Sequence, residues 1–182
     1  KKLLLLSFMM LAMVATSMAA IDTTKEYRIK DTGTGYYLNA GNYQAHTSGP
    51  NGGVNVVAYA DSDDQIFIFE ASGSNYKLKT KSGYYIYCQQ WNVDALTYGT
   101  VLAITETTYN GKAAIKINVA SPSSNQRNGA FKVENVSGTY YPFCDANNSD
   151  IATWVLEPIQ AANAPMRTIS VSASPAEGGV VT

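Results

Sequence analysis

Between Tyr27 and Ile159 the apolar residues come in short runs that alternate with polar ones and stop at Gly, Asn, Ser or Asp. No window carries the apolar stripe of an amphipathic helix, so the period of two predicts an all-β domain of many short strands. Eleven candidates stand out: "EYRIK", "YYLNA", "VNVVAYA", "QIFIFEA", "YKLKT", "YYIYCQ", "VLAITET", "AAIKINV", "AFKVEN", "YYPFC" and "TWVLEPI". Thirteen tyrosines against five phenylalanines and two tryptophans fit this pattern. An apolar body with a polar tip suits half-buried strands and stacking surfaces alike.

The runs also repeat. "YRIKDTGTGYYLNA" from Tyr27, "YKLKTKSGYYIYC" from Tyr76 and "FKVENVSGTYYPFC" from Phe131 share an aromatic, an alternating strand, a Gly-containing turn, a Tyr-Tyr pair and a second strand, with starts 49 and 55 residues apart. Three copies of a four-strand unit, about twelve strands in all, predict a pseudo-threefold fold. Four residues after the first tyrosine of each pair stand Ala40, Cys88 and Cys144, which this alignment places at one small, apolar position.

Three such units resemble a β-trefoil, and the first is similar in detail to the ricin-type (Gln-x-Trp) lectin family. In "NVVAYADSDDQIFIFE" a third strand closes on Tyr59, a short polar loop follows, and Gln65-Ile66-Phe67 opens the fourth strand with phenylalanine in place of the usual tryptophan. The second unit ends "AAIKINVAS" without such a Gln, and the third offers Trp154 in "TWVLEPI". The resemblance covers roughly residues 25 to 160. It implies a sugar site built from Asp31, just after the first strand, Tyr59 as the aromatic platform and Asp64 beside the Gln, with Gln65 bracing the pocket. A carboxylate accepts charge-assisted hydrogen bonds from adjacent hydroxyls, and an aromatic face takes the C–H side of a pyranose. The alignment puts Thr80 and Asn135 where the first repeat has Asp31, so a single site is expected.

The ends set the context. "KKLLLLSFMMLAMVATSMAA" has the layout of a secretory signal peptide, cleaved after Ala19. Removing Lys1 and Lys2 takes the formal charge from −1 to −3, a mildly acidic balance that offers no footprint for nucleic acid or an anionic membrane. The expected organisation is a signal peptide over 1–19, one trefoil over 20–160, a linker over 161–167 ("AANAPMR") and the start of a second β module over 168–182. A lone strand cannot fold by itself, so the chain is expected to belong to a larger, multidomain bacterial protein.

Other chemistry is thin. A nucleophilic thiol needs a base, and the one histidine, His46, sits in a loop with nothing to tie it to Cys88. Export permits a Cys88–Cys144 disulfide, with two buried free thiols as the alternative. "DSDDQ" lacks the glycine and distant glutamate of a calcium loop and reads as a solvated turn. Nothing pairs the acids Asp31, Glu70, Glu106, Glu134 and Glu157 for glycoside hydrolysis, and no cofactor fingerprint is present. The expected function is a secreted or surface-displayed, non-catalytic module that binds a glycan or polysaccharide without a cofactor. The alternatives are a structural or protein-binding trefoil of adhesin or inhibitor type, and an accessory domain of a hydrolase lying beyond Thr182.

Overall fold

The computed structural model describes residues 21–41, 53–126, 128–147 and 149–159. The expected signal peptide, linker and second module lie outside them, as does His46. The described residues form β1 (Glu26–Asp31), β2 (Tyr37–Ala40), β3 (Val54–Val57), β4 (Phe67–Ser72), β5 (Asn75–Thr80), β6 (Tyr85–Gln89), β7 (Asn92–Leu96), β8 (Leu102–Tyr109), β9 (Lys112–Val119), β10 (Lys132–Val136), β11 (Thr139–Phe143) and β12 (Trp154–Pro158).

Six strands close on themselves. β1 pairs β12, β12 pairs β9, β9 pairs β8, β8 pairs β5, β5 pairs β4, and β4 returns to β1, all antiparallel. Closure leaves no unpaired edge in this ring. The hairpins β2–β3, β6–β7 and β10–β11 cap one end, tied to each other through Tyr140↔Val56 and Phe143↔Asn92. A six-stranded barrel capped by three hairpins is the β-trefoil. Alternation sets what faces inward: along β1, Tyr27, Ile29 and Asp31 point one way and Glu26, Arg28 and Lys30 the other. Ile29, Phe67, Phe69, Leu78, Ile117, Phe131 and Trp154 are fully buried in the centre. Phe69 lies edge-on between Tyr27 and Tyr76, at 5.5 and 5.8 Å, so the opening aromatics of two repeats share one partner.

The strand absent from the sequence reading is β7. Its five residues, "NVDAL", are all buried, so the polar–apolar alternation that reveals a half-exposed strand is missing.

The third repeat also sits one strand away from where the alignment put it. In the first two repeats the matched segments are β1–turn–β2 and β5–turn–β6, but "FKVENVSGTYYPFC" is the cap hairpin β10–β11, and β9 opens the third unit. Backbone hydrogen bonds identify the true counterparts: Asp31 N–H donates to Tyr36 O, Thr80 N–H to Tyr84 O, and Val119 N–H to Gly129 O. Val119, not Asn135, therefore matches Asp31. Cys88 pairs Val93 as Ala40 pairs Val54, whereas Cys144 directly follows β11 and matches Val56 and Ala95 of the third strands. The two cysteines do not occupy one repeat position. A period of two with a glycine turn describes any antiparallel hairpin, so pattern alone could not tell strands one and two from strands two and three.

Candidate functional site

The outward faces of β1, β2 and β3 in the first repeat are overlaid by the loop from Ala58 to Ile66. Two side chains shape that loop. Gln65 is fully buried, accepts from the Ala60 N–H at 2.8 Å and donates to the Ala58 carbonyl at 2.8 Å, a two-point clip across the loop. Arg28, 9% exposed, donates to the Ala60 carbonyl and to Asp61 Oδ1, each at 3.0 Å, with its guanidinium carbon 4.7 Å from the centre of the Tyr59 ring. The Asp61 side chain is 89% exposed, so that ion pair contributes no more than about 1 kcal/mol. The planar group matters more for placing Tyr59.

Tyr59 is thus braced from beneath and from the side. Arg28 covers one face, Tyr37 packs edge-on at 5.7 Å, and the ring remains 60% exposed. Tyr37 is itself pinned, since its hydroxyl donates to Glu157 Oε2 at 3.0 Å. Burial, reinforced by that carboxylate, holds the Tyr37 phenol above its ordinary pKa. An aromatic face fixed on rigid neighbours and turned to solvent is what a C–H face of a pyranose stacks upon.

Polar groups lie farther along the same face. Residues Asp63–Gln65 form a single 3-10 turn capped by Ser62, whose Oγ accepts from the Asp64 N–H at 3.2 Å. This turn packs on β2 and brings the Asp64 carboxylate against Gly41, where a Cβ would clash with it. On the strands beneath, Asn39 Nδ2 donates to Asn55 Oδ1 at 3.0 Å across a registered pair. Both asparagines are half-buried. They were not singled out in the sequence because an isolated polar residue in a strand looks like ordinary alternation. Their facing register is visible only once β2 and β3 pair.

Asp31 does not join this group. It lies on the inward-facing row of β1, is 3% exposed, and its Oδ2 accepts both the N–H and the hydroxyl of Thr34, at 2.7 and 2.8 Å. It closes the β1–β2 turn. Asp64 sits at Gly41, four residues along β2 from Tyr37, so about 13 Å separate the two ends at about 3.3 Å per residue. Of the four residues implied by the lectin resemblance, Gln65 clips the loop on either side of Tyr59, Asp64 lies farther along the same face at Gly41, and Asp31 closes the β1–β2 turn.

The cysteines are free and buried. Cys144 Sγ approaches the carbonyls of Gln90 and Asn92 at 3.4 and 3.5 Å, and Gln126 Nε2 reaches both Cys88 O at 3.4 Å and Cys144 Sγ at 3.8 Å. Burial, then a hydrogen bond with the Cys144 thiol, pushes Cys88 well above the ordinary thiol range. That suppresses the thiolate a nucleophile would need.

No protein-family model matches the sequence, and no curated protein matches it. Solved structures match the fold. A ricin B-like lectin of Macrolepiota procera, solved in complex with lactose, superposes with a TM-score of 0.54 at 14% identity, covering 76% of this chain and 98% of that one. An SDF2-like protein from Arabidopsis thaliana gives 0.52 at 10% identity over 73% of this chain and 92% of that one. A GlcNAcα1-4Gal-releasing endo-β-galactosidase from Clostridium perfringens gives 0.51 at 14% identity, covering 75% of this chain but 33% of that one. At these identities the likeness concerns the fold.

Proposed function

We propose that this β-trefoil is a non-catalytic carbohydrate-binding module that holds a sugar on the outer face of its first repeat, within a secreted, surface-displayed bacterial protein. One observation carries the reading: Tyr59 is a braced aromatic left 60% exposed beside an acidic turn. One ring of the glycan stacks on the free face of Tyr59, and Asp64, farther along the same face, accepts hydrogen bonds from hydroxyls of the same glycan. Arg28 and Gln65 position the platform without touching the ligand. Fold likeness to a trefoil solved with lactose supports the ligand class. A shallow single site binds weakly, and linkage to further modules raises the avidity.

A second reading, an accessory domain of a hydrolase, is favoured by the Clostridium perfringens endo-β-galactosidase, in which the matched trefoil takes up a third of the chain. It uses the same face for the same purpose and differs in what lies beyond Thr182.

A glycan array of the chain, followed by calorimetry on the best ligand, tests the proposal. Tyr59→Ala is expected to abolish binding and Tyr59→Phe to preserve it, because the ring face rather than the hydroxyl makes the contact. Asp64→Ala is expected to weaken binding at least about tenfold, the loss of a charge-assisted hydrogen bond. Asp31→Asn, which can still accept from Thr34, is expected to leave affinity within about twofold. Failure to retain any glycan, or equal affinity in Tyr59→Ala, would sink the reading.

A further inference from the structure

A groove of about 160 Å³ crosses the outer barrel wall where the third repeat meets the first, lined among others by Lys30, Tyr109, Asn110, Lys112, Val155 and Glu157. It adjoins the Tyr59 face through Tyr37, whose ring packs on Tyr59, lies beneath Lys30 and bonds Glu157 through its hydroxyl. Its floor is set by register: Lys30 lies opposite Val155 and Arg28 opposite Glu157, and β12 continues onto β9 through Val155↔Ala114. Its wall is the tip of the β8–β9 hairpin. Asn110 and Gly111 both have positive φ, 49° and 75°, the geometry of a tight turn between directly paired strands. Each arm of this hairpin is eight residues long, against six in β4–β5, the matching hairpin between the first two repeats. The added length of this hairpin, which joins the second and third repeats, gives the groove a wall carrying Tyr109 and Lys112, with Tyr109 42% exposed.

The charges are unevenly satisfied. Both acids at the groove already have donors: Glu157 Oε2 accepts the Tyr37 hydroxyl, and Asp31 Oδ2 accepts from Thr34 twice. The two ammonium groups do not have acceptors of matching charge. Lys30 Nζ lies 5.3 Å above the Tyr37 ring, and neither Lys30 nor Lys112 belongs to an ion pair among the described residues. Elsewhere among the described residues Lys25, Lys79, Lys81 and Lys132 each reach a carboxylate, and Lys77 and Lys116, like the groove pair, belong to no ion pair.

We infer that this groove is a second binding site, for the anionic group of an acidic saccharide. A carboxylate entering it accepts hydrogen bonds from Lys30 and Lys112. Glu157 keeps a second oxygen to accept a ring hydroxyl, and the exposed Tyr109 ring flanks the sugar. A neutral hexose gains none of the charge-assisted bonds, so the site distinguishes a uronate from the parent sugar. The groove shares Tyr37 and Glu157 with the support of the Tyr59 face but does not use Tyr59 itself, and its test separates the two.

Amide shift perturbation of the ¹⁵N-labelled chain is measured with sodium glucuronate, glucose and sodium acetate. Glucuronate is expected to give saturable shifts at residues 30–35 and 109–112 that persist in Tyr59→Ala, with weaker shifts there from glucose and from acetate. Lys30→Ala and Lys112→Ala are each expected to raise the glucuronate Kd about three- to fivefold, as for exposed ion pairs, while Lys112→Arg restores it. Raising NaCl to 0.5 M is expected to weaken it further. The inference is overturned by an absence of saturable shifts at the groove, by acetate or glucose matching glucuronate in affinity, or by a Lys112→Ala Kd equal to that of the unmodified chain. A Tyr59→Ala variant that loses glycan on the array but keeps the groove shifts leaves both readings standing. Loss of the groove shifts alone removes only this one.

Discussion

Single side chains here change role with the direction in which the backbone aims them. Asp31 and Lys30 are neighbours in sequence, yet alternation sends Asp31 to the inner row to close a turn and Lys30 to the outer wall. Cys88 is a clear case for measurement. Its buried thiol holds a proton that the unfolded chain releases above the ordinary thiol pKa of about 8.5. The folded state then binds more protons than the unfolded one, so stability falls as pH rises from about 8.5 toward the folded value. The raised Tyr37 phenol acts in the same direction, starting near pH 10. Cys88→Ala is expected to flatten the alkaline loss of stability by up to about 1.4 kcal/mol per pH unit, read from urea midpoints between pH 8 and 10. Ala40 already fills the corresponding position of the first repeat, so the smaller side chain suits the slot. A slope identical to that of the unmodified chain would assign the alkaline loss to other groups. A maleimide is expected to label neither thiol until the protein is unfolded.

At the scale of elements, the Ala58–Ile66 loop is the working part of the first repeat, and its shape depends on a glutamine and a glycine. Gln65→Ala would remove two hydrogen bonds that close the loop, to the Ala60 N–H and the Ala58 carbonyl, each worth about 0.5–1.5 kcal/mol net. The expected loss of about 1–3 kcal/mol is read by urea denaturation, with weakened glycan binding as the Tyr59 platform loosens. Gly41→Ala is a subtler probe. It removes no binding group, but the new methyl would displace the Asp64 carboxylate. Binding is expected to fall toward the Asp64→Ala value while Tm changes little, because Gly41 lies just past the end of β2 at Ala40. Unchanged affinity in Gly41→Ala would mean that Asp64 acts from another position. The braced platform also accounts for Arg28. Its counterpart in the second repeat, Lys77, faces no loop held by a glutamine clip, and Tyr98, the residue matching Tyr59, packs against Tyr87 instead.

For the whole molecule, closing the ring between β1 and β12 joins the two ends of the described domain, so no repeat keeps its core alone. Trp154 sits at that closure, fully buried and registered with Asp31 and Ile115. Trp91 is 45% exposed, so in a Trp91→Phe variant the fluorescence reports Trp154 alone. That signal and the far-ultraviolet dichroism are expected to change together in one transition. Separate midpoints would mean that a repeat unfolds independently. Pairings between strands far apart in sequence also predict refolding in the millisecond-to-second range.

Much of this was legible in the residues themselves. Strand periodicity, the threefold recurrence and the glutamine-centred loop are local signals, because side-chain alternation and turn chemistry act over a few residues. The all-β class, the three units and the loop clipped by Gln65 could therefore be read from the chain. What remained hidden depended on pairing. β7 lacks alternation because it is buried on both faces, and the third repeat appeared one strand out of place because one hairpin pattern resembles another. Asp31 was separated from Tyr59 by the side of β1 on which it falls, and Asn39 met Asn55 only across a register. The groove between the first and third repeats needed barrel closure to exist at all. Local pattern fixes which residues lie on strands, whereas register and closure decide which of them share a surface, since a shift of one residue sends every side chain to the opposite face.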